Sequence, residues 1–211
     1  MRSTLKQLAE GCALVCVLPA LVAYQIAVLV IGKQRAFPGW SQAISLAPGL
    51  IGSYLRRAFY RRTLARCGDG AFLTFGTIFS HPTAYVGRNV YVGAFCCLGE
   101  VTLEDDVLIG SHVSIANGSR QHGTERLDIP VREQPGEWPR ITVGADTWIG
   151  DRAVILADVG RHCVIGAGAV VTKPIPDFAV AVGIPARPVR FRNESQPVAR
   201  RAPESLVNTA S

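Results

Sequence analysis

From Val86 onward an aliphatic residue, often followed by glycine, returns every six positions: Val86, Val92 and Leu98; Leu103, Ile109 and Ile115; Val143, Ile149 and Ile155; Ile165 and Val171. A helix cannot produce this pattern, because six is not a multiple of its 3.6-residue period. A short flat strand closed by a turn can, with the aliphatic side chain pointing inward and the glycine freeing the backbone to turn. One such unit buries too little to be stable alone, so the units must stack. A β-sandwich is the other all-β option, but its strand and turn signals recur at about 8–12 residues. The register slips twice, by five residues from Leu98 to Leu103 and by ten from Ile155 to Ile165, which suggests tightened corners. Between Asn117 and Arg140 the repeat stops for 24 polar-rich residues. Loop-closure entropy grows slowly with length, so stacked coils tolerate such an insertion, and long insertions in compact domains usually carry function.

The N-terminal third differs in character. Residues 1–67 hold nine Lys/Arg and one acid, Glu10, whereas the rest of the chain holds thirteen bases and fifteen acids. This asymmetry points to an anionic lipid surface, and with no nucleic-acid motif in the chain, no nucleic-acid partner is expected. Gly11 to Gly32 carries no charge. As a helix it would be about 33 Å long, against about 30 Å for a bilayer core. It exceeds the apolar core of a signal peptide and ends at Lys33 and Arg35, as an anchor does. The apolar stretch Ala43–Leu55, broken by Pro48 and Gly49, leads into five arginines between Arg56 and Arg66. These do not share a helix face, and a half-embedded segment followed by a basic segment at the headgroups is expected. More positive charge follows the apolar run than precedes it, which places the main domain in the cytoplasm, at a bacterial inner membrane. The expected organisation is a membrane anchor with a basic segment at 1–66, a repeat domain at 67–192 with its loop at 117–140, and a disordered polar tail at 193–211. The six cysteines form no C-x-x-C pair and read as buried free thiols.

The segments "VGADTWIG", "VIGAGAVVTKPIP" and "VGIPARPVR" resemble, in that order, the hexapeptide-repeat acyltransferases, which include the maltose, galactoside and xenobiotic acetyltransferases and the polysaccharide O-acetyltransferases. The resemblance runs from about Gly76 to Arg190. It implies an all-β main domain folded as a left-handed parallel β-helix, assembly as a homotrimer, and acyl-coenzyme A bound in the groove between subunits. It also implies a catalytic histidine on an irregular loop. By the same resemblance Ala167, Thr172 and Lys173 meet the pantetheine and adenosine parts of the donor, Arg187 and Arg190 meet its phosphates, and Trp148 lines the cleft.

Of the four histidines, His122 follows the strand-like "VSIANG" into the loop, where the family places its base. His81 precedes the regular repeat and reads as a cap or turn residue, and His112 and His162 fall at outward or corner positions. No short His-His spacing marks a metal site, and no metal is expected. A positioned neutral imidazole can take a proton from an acceptor hydroxyl, whose oxygen then attacks the thioester carbonyl of acetyl-CoA. Acceptor contacts are expected from Asn117, Arg132 and Glu133 in the loop. The expected function is an O-acetyltransferase acting on a glycan or lipid-linked sugar, in exopolysaccharide or cell-surface polysaccharide biosynthesis. A serine-type small-molecule acetyltransferase and a non-catalytic β-helix scaffold are the alternatives.

Overall fold

The computed structural model describes residues 2–194. The tail expected to be disordered falls, apart from Asn193 and Glu194, outside the described residues. Three helices, α1 (Arg2–Ile31), α2 (Lys33–Ser45) and α3 (Gly49–Thr63), precede sixteen short strands. The strands form three sheets, one for each side of a triangular coil. The first sheet holds β1 (Arg66–Cys67), β4 (Tyr85–Val86), β7 (Val101–Leu103) and β10 (Ile141–Val143). The second holds β2 (Phe72–Leu73), β5 (Tyr91–Val92), β8 (Leu108–Ile109), β11 (Trp148–Ile149), β13 (Val164–Ile165), β15 (Ala179–Gly183) and β16 (Ala186–Phe191). The third holds β3 (Ile78–Phe79), β6 (Cys97–Leu98), β9 (Ser114–Ile115), β12 (Val154–Ile155) and β14 (Val170–Val171). Apart from the antiparallel β15–β16 pair, these strands pair in parallel. The chain is a parallel β-helix.

The period-six residues are the inward column on each side: Leu73, Val92, Ile109, Ile149 and Ile165 stack in register along the second sheet, each 1% exposed or less. The coils start one turn earlier than the repeat is legible, with Cys67, Leu73 and Phe79 buried in the first coil. His81 therefore lies between the first two coils and not before them.

The corners explain the slips. At the corner between the first and second sheets, Gly70, Asn89, Asp106, Asp146, His162 and Phe178 all take positive φ. Gly76, Phe95, His112, Arg152 and Gly168 do the same between the second and third. A turn that places one residue in the left-handed region has a set length, and inward residues across these corners stay six apart. The corner from the third sheet back to the first has no such column, and its length varies. Both slips fall there, as does the long loop. The ten-residue slip is a step of four to Val159, which bridges Val143 and Ile175 in the first sheet, and a regular step of six.

The helices close the open end of the first coil and share its core. Tyr24, Phe59, Tyr60 and Phe79 form a chain of edge-on rings, with centroids 5.7, 5.7 and 5.0 Å apart. Ser41 Oγ accepts the Phe79 N–H at 2.9 Å, and the Ser45 carbonyl accepts the Gly76 N–H at 2.9 Å. The arginine run does not lie at a headgroup surface as a unit. Arg56 is fully buried and donates to the carbonyls of Leu73, Ser45 and Ala47 at 2.8, 3.1 and 2.5 Å. Burial lowers its pKa, and the three carbonyls stand in for the water that it loses. Arg57 is also buried, donating to the Ala71 carbonyl and Glu10. Arg62 and Arg66 remain exposed.

Candidate active site

The loop 117–140 leaves the third sheet after β9 and returns to the first at β10. Its root is locked by Asn117, which is 3% exposed. The Asn117 amide donates to the carbonyls of Glu100 and Pro139 at 3.0 and 2.9 Å and accepts the Glu100 N–H at 3.1 Å. These contacts all go to backbone, so the side chain clamps the loop to the coil. Arg132 and Glu133 sit on a single 3-10 turn, Val131–Glu133, exposed and paired with each other at 3.5 Å.

Two loop segments run side by side. Glu137 donates its N–H to the Arg120 carbonyl at 2.8 Å, and the Arg120 and Glu137 side chains pair at 2.8 Å. Gly136 permits the close approach: a Cβ there would lie 1.9 Å from the Gln121 carbonyl oxygen and 2.8 Å from the His122 nitrogen. His122 is exposed at this crossing, with its ring edge-on to Trp138 at 5.5 Å between centroids. Beside it opens a polar cavity of about 410 Å³, lined among others by His122, Thr124, Glu125, Arg126, Gln134 and Glu137. Gln134 is buried and shapes the far wall, donating to the Arg126 carbonyl at 2.6 Å and accepting the Arg126 N–H at 3.1 Å. Gly136, Trp138 and Gln134 shape the surroundings of His122 and were missed by the repeat logic. Their partners lie 8 to 16 positions away in an aperiodic loop, and no local pattern marks such contacts. Arg132, Glu133 and Asn117 are not among the residues lining the cavity.

The other histidines have settled places. His81 Nδ1 shares a 2.8 Å hydrogen bond with Ser80 Oγ. His112 stacks on Phe95 at 5.3 Å. His162 stacks on Phe178 at 5.0 Å and shares a 2.9 Å hydrogen bond with Asp146, which holds that carboxyl below the usual range. Among the described residues no group of three or more His, Cys, Asp or Glu could hold a metal ion. Cys67, Cys96 and Cys163 are buried free thiols, as expected, whereas Cys12, Cys16 and Cys97 are exposed. Burial pushes the Cys67 and Cys96 thiols up to about 11, which makes both poor nucleophiles at neutral pH.

One chain does not bring the expected donor residues to His122. Trp148 is 51% exposed on the outer face of the second sheet. Ala167 is exposed at the corner between the second and third sheets, and Arg187 and Arg190 are exposed on β16, at the second sheet's edge. Thr172 and Lys173 are exposed at the corner that carries the loop, two coils further on.

Residues 140–173 match the family described as bacterial transferase hexapeptide (six repeats). The galactoside O-acetyltransferase of Escherichia coli (strain K12) is 33% identical over 146 residues, covering 66% of this chain and 70% of that protein. A maltose O-acetyltransferase from Clostridium difficile 630 superimposes with a TM-score of 0.65 at 20% identity, over 76% of this chain and 89% of that one. A galactoside acetyltransferase solved in complex with coenzyme A gives a TM-score of 0.54 at 25% identity, over 76% and 82%. With the parallel β-helix and its six-residue period, these similarities establish that the chain belongs to the hexapeptide-repeat acyltransferase family.

Proposed function

We propose that this chain is a membrane-associated O-acetyltransferase that moves an acetyl group from acetyl-CoA to a hydroxyl of a glycan or lipid-linked sugar. The observation that carries this reading is His122, exposed on an ordered loop beside a polar cavity of about 410 Å³. The cavity wall mixes Glu125 and Glu137 with Arg126 and Thr124, a set suited to hydroxyl-rich acceptors. His122 is the general base. Its imidazole takes the acceptor's hydroxyl proton as the oxygen attacks the thioester carbonyl. The tetrahedral intermediate collapses with loss of the coenzyme A thiolate, which recovers the proton from the imidazolium. A backbone N–H stabilises the oxyanion.

The related galactoside enzyme is named an O-acetyltransferase and a galactoside acetyltransferase binds coenzyme A, which supports the donor and the reaction class. Trp148, Ala167, Thr172, Lys173, Arg187 and Arg190 are the proposed donor contacts. Their spread over a sheet face, an edge and two corners favours a site completed between subunits of a homotrimer. The acceptor class follows from α1. Its stretch Leu8–Ile31 holds an 18-residue window with a mean hydropathy of 2.6, and a small soluble acceptor gives an enzyme no reason to carry such a helix. We place the protein on the cytoplasmic face of a bacterial inner membrane, in the biosynthesis of exopolysaccharide or cell-surface polysaccharide. The organisation that goes with it is a membrane-associated segment at 1–66 and a transferase domain at 67–192.

Thiol release from acetyl-CoA, measured in detergent over a panel of sugar and amino-acid acceptors, tests the assignment. His122→Ala is expected to lower turnover by about 10²–10⁴-fold with coenzyme A affinity unchanged by calorimetry. His81→Ala, His112→Ala and His162→Ala are expected to keep most activity. Retained turnover in His122→Ala overturns the base assignment, and acetylation of serine in place of sugars overturns the acceptor class.

A further inference from the structure

We propose that α1 does not cross the bilayer: it lies within one leaflet, across the helical cap, with its N-terminus on the same side as the His122 loop. This rests on the membrane association proposed above and differs from the spanning anchor that the length of the apolar run suggests.

The geometry comes from where α1 touches α3. Glu10 Oε1 accepts a hydrogen bond from Arg57 Nη2 at 2.8 Å, and the Tyr24 ring meets the Phe59 ring at 5.7 Å. Glu10 and Tyr24 are separated by about 21 Å of helix, yet their partners are only two positions apart on α3. The two helices therefore cross, and α1 runs over the cap and not away from it. α3 is itself held to the first coil through Arg56 and Tyr60. Arg61 ties the same end of α1 down by pairing with both Glu10 and Asp69, the latter in the first coil. Between these fixed points Ala13, Val17 and Leu21 are buried, and Val28 still packs against the core. Past Tyr24 only seven residues of α1 remain, about 10 Å, where a span needs about 30 Å clear of the domain. Gly32, at φ +82°, then turns the chain, and α2 brings it back to the Gly76 N–H at Ser45. Both ends of the apolar run are thus tied to the same end of the coil.

From Leu8 to Leu29 the opposite face of α1 carries an apolar stripe. Leu8, Val15, Leu18, Val22, Ile26 and Leu29 are 47–86% exposed, at steps of three, four and seven that make one helical stripe. A helix with protein on one side and a continuous uncharged stripe on the other is suited to lie in the plane of the headgroup–acyl boundary. Exposed Lys33, Arg35, Arg62 and Arg66 supply the cations that an anionic leaflet attracts. With the cap on the membrane, the root of the loop, on the third coil, stands about 20 Å away, two strand spacings plus the depth of one helix. That distance suits the first sugars of a lipid-linked glycan.

The test uses the full chain with an epitope tag at each terminus, expressed in bacteria. Protease is added to spheroplasts and to inverted inner-membrane vesicles. Both tags should survive in spheroplasts and both should be cut in inverted vesicles. An N-terminal tag cut in spheroplasts means that α1 spans, and overturns the proposal. A full chain found in the soluble fraction instead defeats the membrane association itself. In a second measurement, purified protein is floated with vesicles of phosphatidylcholine and phosphatidylglycerol. Leu18→Asp/Val22→Asp/Ile26→Asp should lose binding by at least about tenfold while keeping its circular dichroism and turnover in detergent. Leu29→Asp, at the most exposed stripe position, should show a smaller loss in the same direction and covers the case in which the triple variant misfolds. Undiminished flotation of both variants, or a wild-type stripe that drives self-association and no vesicle binding, overturns the proposal.

Discussion

The Asn117 side chain donates a 2.9 Å hydrogen bond to the carbonyl of Pro139, joining the first residue of the loop to its penultimate one. The same amide group is bonded twice to the Glu100 backbone, one coil below. Loop and coil are thereby made one rigid element. Asn117→Ala leaves buried backbone groups without partners, which costs about 1–3 kcal/mol. Thermal unfolding should register that loss. Turnover should fall as the loop loosens, with coenzyme A affinity unchanged in calorimetry. A variant with native melting temperature and native turnover would refute the clamp.

Gly136 is expected to be as sensitive as His122, although it has no side chain. A methyl group at this position meets the Gln121 carbonyl at 1.9 Å, so the two loop segments must part. Gly136→Ala should lower turnover while leaving coenzyme A affinity intact. Trp138→Ala removes an edge-on aromatic contact worth about 0.5–1.5 kcal/mol, so if that contact positions the imidazole, turnover should fall about two- to twelvefold. Trp138→Phe should restore most of it. Steady-state kinetics on the three variants checks both statements, and unaltered turnover in Gly136→Ala would show that the crossing is not needed.

Two buried polar side chains in the cap should behave in opposite ways. Arg56→Met orphans the Leu73 and Ala47 carbonyls, at about 1–3 kcal/mol each, while the Ser45 carbonyl keeps the Gly76 N–H, and should lower the melting temperature markedly. Arg56→Lys should not rescue it, because an ammonium cannot reproduce the guanidinium fork. The Tyr24 hydroxyl, in contrast, is buried without a hydrogen-bond partner among the described residues. Tyr24→Phe removes that unpaired group and should be neutral or stabilising. Melting curves of the three variants in detergent decide the matter.

Asp146 supplies a pH dependence of stability. Its carboxyl is held below the ordinary range, chiefly by the hydrogen bond with His162, with Arg192 adding to the effect. A depressed folded-state value favours the native state above the unfolded value of about 3.9. The contribution is lost as pH falls through the lower folded value. The group is largely exposed, so solvent screening keeps its effect within about 1 kcal/mol. Asp146→Asn should therefore lower the melting temperature slightly at pH 7, with the difference shrinking as pH falls below the unfolded value and vanishing once the folded carboxyl is protonated too. An equal difference throughout would show that the contact acts by packing alone.

The period of six determined short strand-and-turn units that must stack, because each level needs an inward aliphatic residue at the same place, and the family resemblance carried the step from stacked units to a parallel β-helix. The placement of His122 in a polar interruption was legible for the same reason, since a break in a strict pattern is itself a signal. The first coil was not legible: Cys67, Leu73 and Phe79 begin the three inward columns, but they vary in type and size and the step from Phe79 to Val86 is seven. The slips could be counted but not placed. Their common corner becomes visible only when the positive-φ residues are stacked into columns, which is a relation between coils. Gly136, Trp138 and the clamping bonds of Asn117 escaped for a related reason: each acts on a residue remote in sequence through an approach that aperiodic chain does not encode locally. For α1 the sequence determined length and apolarity, which are compatible with crossing a membrane or lying on one. Only the tertiary structure decided which stripe is buried, because that depends on Glu10 and Tyr24 both meeting the middle of α3, a crossing set by packing against the cap and not by any property of the helix alone.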